Sequence, residues 1–277
     1  MQLSLGFSPC PNDTFIFGAI VNQLISTNNI EFNLIIEDVE QLNHLAMHGE
    51  IDIIKISYHA FAYVSDQYQF LRAGSALGNN NGPLLISKHK IYPDEVNNLR
   101  IAIPGKHTTA NLLMNIAYPE AQNKTEYLFS DIEEAILSNE VDAGVIIHEN
   151  RFTYQKKGLK KIVDLGELWE TQNQLPIPLG GIAIKRSLPN EIKIKINELL
   201  KTSICFAHQN PSSIVGFIKK HAQSLNEEII KKHIDLYVNN YTTDIGITGK
   251  QAVEMLYKKA EEFKLIYSVK QPIFIEK

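Results

Sequence analysis

Apolar residues alternate at Leu3, Leu5 and Phe7, the two-residue period of a half-buried strand. Pro9 and Pro11 then fix φ through a rigid turn, and Asn12, Asp13 and Thr14 offer helix caps before the apolar face Phe15, Ile16, Ala19, Ile20. The pattern predicts a strand over 3–7 and a helix over 13–25. Strand 31–37, helix 39–48 closed by Gly49, and the short apolar strand 51–56 extend this to a βαβαβ unit. Such alternation predicts a mainly parallel sheet covered by helices, with functional loops gathered at the carboxyl ends of its strands.

An apolar segment, 70–77, leads through Gly78-Asn79-Asn80-Asn81-Gly82-Pro83, expected as an exposed turn, into strand 84–87. After the polar connector 88–98 the pattern starts again: strand 100–103, helix 110–117, strand 126–129, helix 131–139, strand 143–147. Strand 161–165, a loop over 166–178 and strand 182–185 follow. From Pro189 onward the period is helical, with helices expected over 189–208, 211–221, 226–238 and 248–264. The chain therefore divides into two α/β domains, 1–87 plus 186–277 and 88–185. Crossovers fall near Ser87 and Lys185, and the C-terminal helices return to cover the first domain. This is the layout of a two-lobed, hinged fold holding a small molecule in its cleft.

A length of 277 residues with 44% hydrophobic and 21% charged residues suits an ordinary globular protein. With 27 basic against 31 acidic residues the net charge is −4, which gives no electrostatic case for nucleic acid. The group Lys156, Lys157, Lys160, Lys161 reads as a solvated face. Cys10 and Cys205 are far apart, so free thiols are expected instead of a zinc or disulfide framework. No apolar run reaches the roughly 18 residues of a membrane span. Met1 leads straight into strand residues without a basic-then-apolar leader pattern, so the expected location is cytoplasmic.

Chemistry is expected at four strand ends: 8–13, Lys55-Ile56-Ser57-Tyr58, Lys106-His107-Thr108-Thr109 and His148-Glu149-Asn150-Arg151. The first reads either as a junction aiming helix N–H groups at an anion or as a stiff turn. At the third, Thr108 and Thr109 offer hydroxyls beside free N–H groups, and Thr108 also suits a plain N-cap. Ser57 is a ligand contact or a cap. His148 ends an apolar strand where a side chain leaves the sheet, and histidine moves protons near neutral pH. Glu37 and Asp38, at the end of the second strand, read either as acid/base groups or, more commonly for such positions, as exposed helix-start carboxylates, and Asn43, one turn into the helix, is placed to face the same cleft. His44 and His48 are four apart but lack a third ligand, so no metal is expected. GxSxG, Walker A and GxGxxG motifs are all missing.

Taken together, five blocks resemble the 1,4-dihydroxy-6-naphthoate synthases of menaquinone biosynthesis by the futalosine route. They are Gly6-Phe7-Ser8-Pro9-Cys10-Pro11-Asn12-Asp13-Thr14-Phe15-Ile16-Phe17, Glu37-Asp38-Val39-Glu40, Lys55-Ile56-Ser57-Tyr58, Pro104-Gly105-Lys106-His107-Thr108-Thr109-Ala110 and the run from Ile146 to Tyr154. Asn150 stands where the family commonly has serine. The resemblance implies a two-domain α/β fold similar to periplasmic solute-binding proteins of type II, used as an enzyme. It implies cleavage of cyclic dehypoxanthinyl futalosine, a carboxylate-bearing substrate, to 1,4-dihydroxy-6-naphthoate and dihydroxyacetone, without organic cofactor or metal. His148 would be the proton acceptor. Lys55, Ile56, Ser57, Thr108 and Thr109 would line the substrate site, with Asp38 and Asn43 as further contacts. The competing reading is a noncatalytic solute-binding protein for a small organic anion.

Overall fold

The computed structural model describes residues 1–222 and 226–276. Alternating apolar positions build β1 (Gln2–Phe7), and Pro11 opens α1 (Pro11–Val21) at a position where a missing N–H costs nothing. The cap of α1 is Cys10, in extended conformation, and not the Asn12-Asp13-Thr14 run, which lies inside the first turn. There follow β2 (Glu31–Ile36), α2 (Val39–His48), β3 (Ile53–Ser57), α3 (Tyr58–Val64), β4 (Tyr68–Phe70) and β5 (Ala76–Gly78). The second lobe holds β6 (Leu84–Ser87), β7 (Ile101–Ile103), α4 (Thr109–Ala117), β8 (Lys124–Glu126), α5 (Ile132–Leu137), β9 (Ala143–Ile146), β10 (Lys160–Asp164) and α6 (Leu165–Asn173). The chain returns through β11 (Ile177–Lys185) to α7 (Asn190–Gln209), α8 (Pro211–His221), α9 (Glu227–Tyr237), the short α10 (Asn240–Thr243) and α11 (Gly246–Glu262).

The first sheet runs β2-β1-β3-β11-β4, with β5 also on β11; the second runs β10-β6-β9-β7-β8. Both are mixed and not mainly parallel. β11 is antiparallel to β3, β4 and β5, and β6 is antiparallel to β9 and β10. Sheet membership also moves the crossovers. Leu84–Ser87 pairs inside the second sheet and Ile177–Lys185 inside the first, so the chain crosses at 79–83 and 174–176, earlier than Ser87 and Lys185.

Two local misreadings explain the shift. The expected loop after Leu165 contains α6, whose cap Asp164 accepts from the N–H of Gly166 at 2.9 Å and of Glu167 at 3.1 Å, and which buries Trp169. Pro178, the end of the expected loop, and Gly180 and Gly181, just before the expected strand 182–185, are residues of β11. A Cβ on Gly180 would stand 2.7 Å from the Ile56 carbonyl oxygen, and one on Gly181 would stand 2.8 Å from the Phe70 ring. These glycines serve close packing, not a turn.

One face of the first sheet packs under α1, α7, α8 and α9 through Leu5, Phe17, Ile196, Leu200 and Ile214, so the C-terminal helices do cover this lobe. The other face belongs to a core that continues into the second lobe, from Ile54, Phe61 and Leu256 to Leu112, Val145 and Trp169. α1 is sheathed on all sides, which is why its residues through Ile20 are buried all round instead of on one stripe.

Candidate active site

The carboxyl ends of β1, β3 and β9 and the start of α4 converge on a cavity of about 90 Å³ between the lobes. Lys55, Ile56, Ser57, Thr108, Thr109 and His148, all expected at the site, border it. At the end of β1, the Asp13 carboxylate accepts from the Ser8 hydroxyl at 2.7 Å and the Asn12 amide at 2.8 Å. It also pairs with the Lys55 ammonium at 3.0 Å, both side chains being buried. Lys55 additionally donates to the Gly74 carbonyl at 3.4 Å. A buried pair held by further hydrogen bonds fixes geometry more than it adds stability.

His148 leaves β9 with φ +57°, a left-handed backbone that costs a non-glycine residue on the order of 1–2 kcal/mol. Such strain is concentrated at functional sites. Its ring meets the Phe129 ring edge-on at 4.9 Å and lies parallel to the His233 ring at 6.1 Å. Nδ1 is 3.5 Å from the Cys10 sulfur, and Nε2 is buried without a hydrogen-bond partner among the described residues. Burial lowers the His148 pKa, partly opposed by the negative charges of Glu149 and Asp13. The Cys10 thiol is pushed well up by burial and then by Glu149, so it stays protonated at neutral pH.

Beneath His148 the network continues. Because the Asn12 NH₂ donates to Asp13, its oxygen faces His233 Nε2 at 2.9 Å, and that nitrogen carries the hydrogen. His233 Nδ1 faces a Glu149 carboxylate oxygen at 3.6 Å, and burial holds the His233 pKa well below the usual histidine value.

The threonine hydroxyls are engaged by the protein itself. Thr108 Oγ1 donates to the Gly105 carbonyl at 2.8 Å and accepts from the Asn111 N–H at 3.2 Å as the cap of α4. Thr109 Oγ1 donates to the Leu179 carbonyl at 2.6 Å and accepts from the His59 N–H at 3.3 Å. Thr109 and Ala110, the first residues of α4, border the cavity at the positive end of the helix, where the first N–H groups have no partner within the helix. Ser57 begins α3 without capping it, and its oxygen accepts from the Asn43 amide at 3.2 Å.

Two expected contacts stand elsewhere. Asn43 does not border the cavity: its oxygen accepts from the Ser57 N–H at 3.0 Å and its NH₂ donates to Glu40 at 2.9 Å, so it braces Ser57 from behind. Asp38 caps α2, accepting from the N–H of Glu40 at 2.9 Å and of Gln41 at 3.2 Å, while its neighbour Val39 borders the cavity instead. Glu40 is a structural residue that sequence reading passed over. It accepts from the His107 N–H across the lobes at 3.0 Å; burial would raise its pKa, but the bonds from His107 and Asn43 outweigh that and lower it. Asn81, Leu179 and Tyr237 also border the cavity and carried no signal, because each arrives from an element whose place depends on the chain return.

Two sets of potential metal-ligand atoms lie within 4.8 Å of one another: Cys10, His148 and Glu149, and Glu40, His44 and His107. In the second set Glu40 is already bonded to His107 and Asn43. Among the described residues no helix is long and apolar enough to cross a membrane.

A family model described as menaquinone biosynthesis matches residues 3–262. A 1,4-dihydroxy-6-naphthoate synthase of Thermus thermophilus is 40% identical over 273 residues, covering 99% of both chains. A crystal structure of an Archaeoglobus fulgidus protein superposes with a TM-score of 0.91 at 36% identity, covering 96% of this chain and 98% of that one. The alkanesulfonate-binding protein of Xanthomonas axonopodis pv. citri, bound to MOPS, gives a TM-score of 0.75 at 11% identity, with 99% and 97% covered. That last likeness shows the periplasmic-binding-protein-like fold and nothing more.

Proposed function

The chain belongs to the menaquinone-biosynthesis family of 1,4-dihydroxy-6-naphthoate synthases, and from this premise we propose that it cleaves cyclic dehypoxanthinyl futalosine in the cleft between its lobes. The products are 1,4-dihydroxy-6-naphthoate and dihydroxyacetone. The observation that supports this most directly is His148 at the cavity, half-buried, with a strained backbone and with its buried Nε2 unpartnered among the described residues.

A retro-aldol-like cleavage needs a base for one proton, a seat for the carboxylate and a dry site. Nδ1 of His148 stands 3.5 Å from the Cys10 sulfur, and in the neutral tautomer with its hydrogen on Nδ1, Nε2 carries the lone pair that takes the proton from the spiro-linked sugar portion. The carbon–carbon bond then breaks, its electron pair passes into the bicyclic ring, and aromatisation drives the step forward. The proton on His148 is returned to a product. The ring carboxylate is seated by the Thr109 and Ala110 N–H groups at the start of α4, where a helix end favours an anion. Thr108 and Thr109 hold that helix end in place through their hydroxyls. Ser57 keeps its own hydrogen free to donate, and Lys55, neutralised by Asp13, supplies a polar wall beside Ile56.

Incubating the purified protein with cyclic dehypoxanthinyl futalosine should release naphthoate and dihydroxyacetone in equal amounts over many turnovers. Stoichiometric binding without either product would favour a solute-binding role and contradict the reading.

A further inference from the structure

A buried amide without a partner sits where the chain crosses between the lobes. Asn81 is 1% exposed, neither its Nδ2 nor its Oδ1 has a hydrogen-bond partner among the described residues, and it borders the cavity that His148 and Ser57 border. Leaving a buried amide unpaired costs about 1–3 kcal/mol, and native proteins seldom leave one so.

The backbone around it is anchored on several sides. The Asn80 N–H donates to Glu170 at 2.7 Å, and the Pro83 carbonyl accepts from the Leu165 N–H at 3.0 Å. The Arg151 guanidinium donates to the Gly82 carbonyl and, at 2.7 Å, to Asp164. Gly82 packs so tightly on Gly166 that a Cβ on Gly82 would stand 2.4 Å from the Gly166 Cα. Behind the amide lies the bare backbone of β5, where a Cβ on Gly78 would come within 2.8 Å of Asn81 Nδ2. An amide fixed this firmly and left unpaired is organised in advance for a partner in the cavity.

We propose that Asn81 is a substrate-binding residue that recognises an alcohol of the bound molecule, Nδ2 donating to the hydroxyl oxygen and Oδ1 accepting its hydrogen. An alcohol offers both a donor and an acceptor, whereas a carboxylate satisfies only the NH₂. The inference rests on the reading of this cleft as the active site, and it places the hydroxylated, sugar-derived half of the substrate at the crossover and its carboxylate at α4.

Asn81→Leu and Asn81→Ala, compared with the wild type, test it through thermal unfolding without ligand and kcat/KM for naphthoate formation. Replacing an unpaired amide by an apolar group leaves the unfolding temperature of Asn81→Leu equal or higher. Losing the alcohol contact lowers kcat/KM about ten-fold or more in both variants. A lower unfolding temperature, meaning the amide has a partner within the protein, or kcat/KM within about two-fold of wild type, well inside the loss expected of a deleted hydrogen bond, overturns the proposal. If the wild type itself forms no naphthoate, the assigned reaction fails and the alcohol contact fails with it, whereas a wild type that turns over beside variants of unchanged kcat/KM overturns the Asn81 contact alone.

Discussion

At the level of single residues, the site works by withholding hydrogen bonds as much as by making them. The Asp13 carboxylate is fully committed to Ser8, Asn12 and Lys55, and both threonine hydroxyls are spent on the helix start, while Nε2 of His148 is left open. Because burial lowers the His148 pKa, the base is already deprotonated at neutral pH. Activity should therefore be flat through neutrality and fall on the acid side, with the midpoint of kcat/KM below the usual histidine value of about 6.5. A pH–rate profile with its acid midpoint above that value would contradict the assignment. That His148 stands beside the cleft was legible from its place at the end of an apolar strand, whereas a lone histidine there is more often a structural hydrogen-bonding residue than a base, so its role was not. Asn43 and Asp38 misled because sequence shows which loop a polar residue is near, not which way its side chain is spent: one braces Ser57 and the other caps α2.

At the level of elements, the strand-end junctions carried the readable information, since turn residues and apolar runs are local properties. What was not legible depends on partners distant in sequence. α6 was expected as a loop, and the glycines of β11 were left outside the expected strand 182–185, because the surfaces that pack on them come from distant parts of the chain. Asn81 was taken as part of an exposed turn for the same reason: the covering helix α6 comes from some ninety residues later, as the Asn80–Glu170 bond records. The junction before α4 offers a direct test. Gly105 has φ +138°, and a Cβ there would stand 2.5 Å from the Glu40 carboxyl carbon. Gly105→Ala should destabilise by on the order of 2–4 kcal/mol through backbone strain and displacement of Glu40. Denaturant unfolding measures this directly, and a change within experimental error would show that the Glu40 bridge is not confined as described.

At the level of the whole molecule, the lobes share one continuous core, and the buried His59 lies where they meet. His59 sits against the α4 start, its Nδ1 3.1 Å from the Thr108 carbonyl, and burial lowers its pKa to about 4. A histidine depressed on folding contributes stability in full above its unfolded value, about 6.5, and that contribution is lost as pH falls toward 4. The unfolding temperature should therefore drop between those limits, and His59→Gln should reduce the drop; an equal drop in the variant would assign it to other groups. The same shared core joins the parts of the site, bringing β1, β3, β9 and α4 to one cavity from four separate stretches of chain. The central claim, that His148 moves the proton in the cleavage, is tested most directly by single-turnover product formation in His148→Ala with saturating cyclic dehypoxanthinyl futalosine. The expected result is a loss of about 10²-fold or more in the rate with substrate affinity retained, whereas naphthoate released at the wild-type rate would remove His148 from the mechanism.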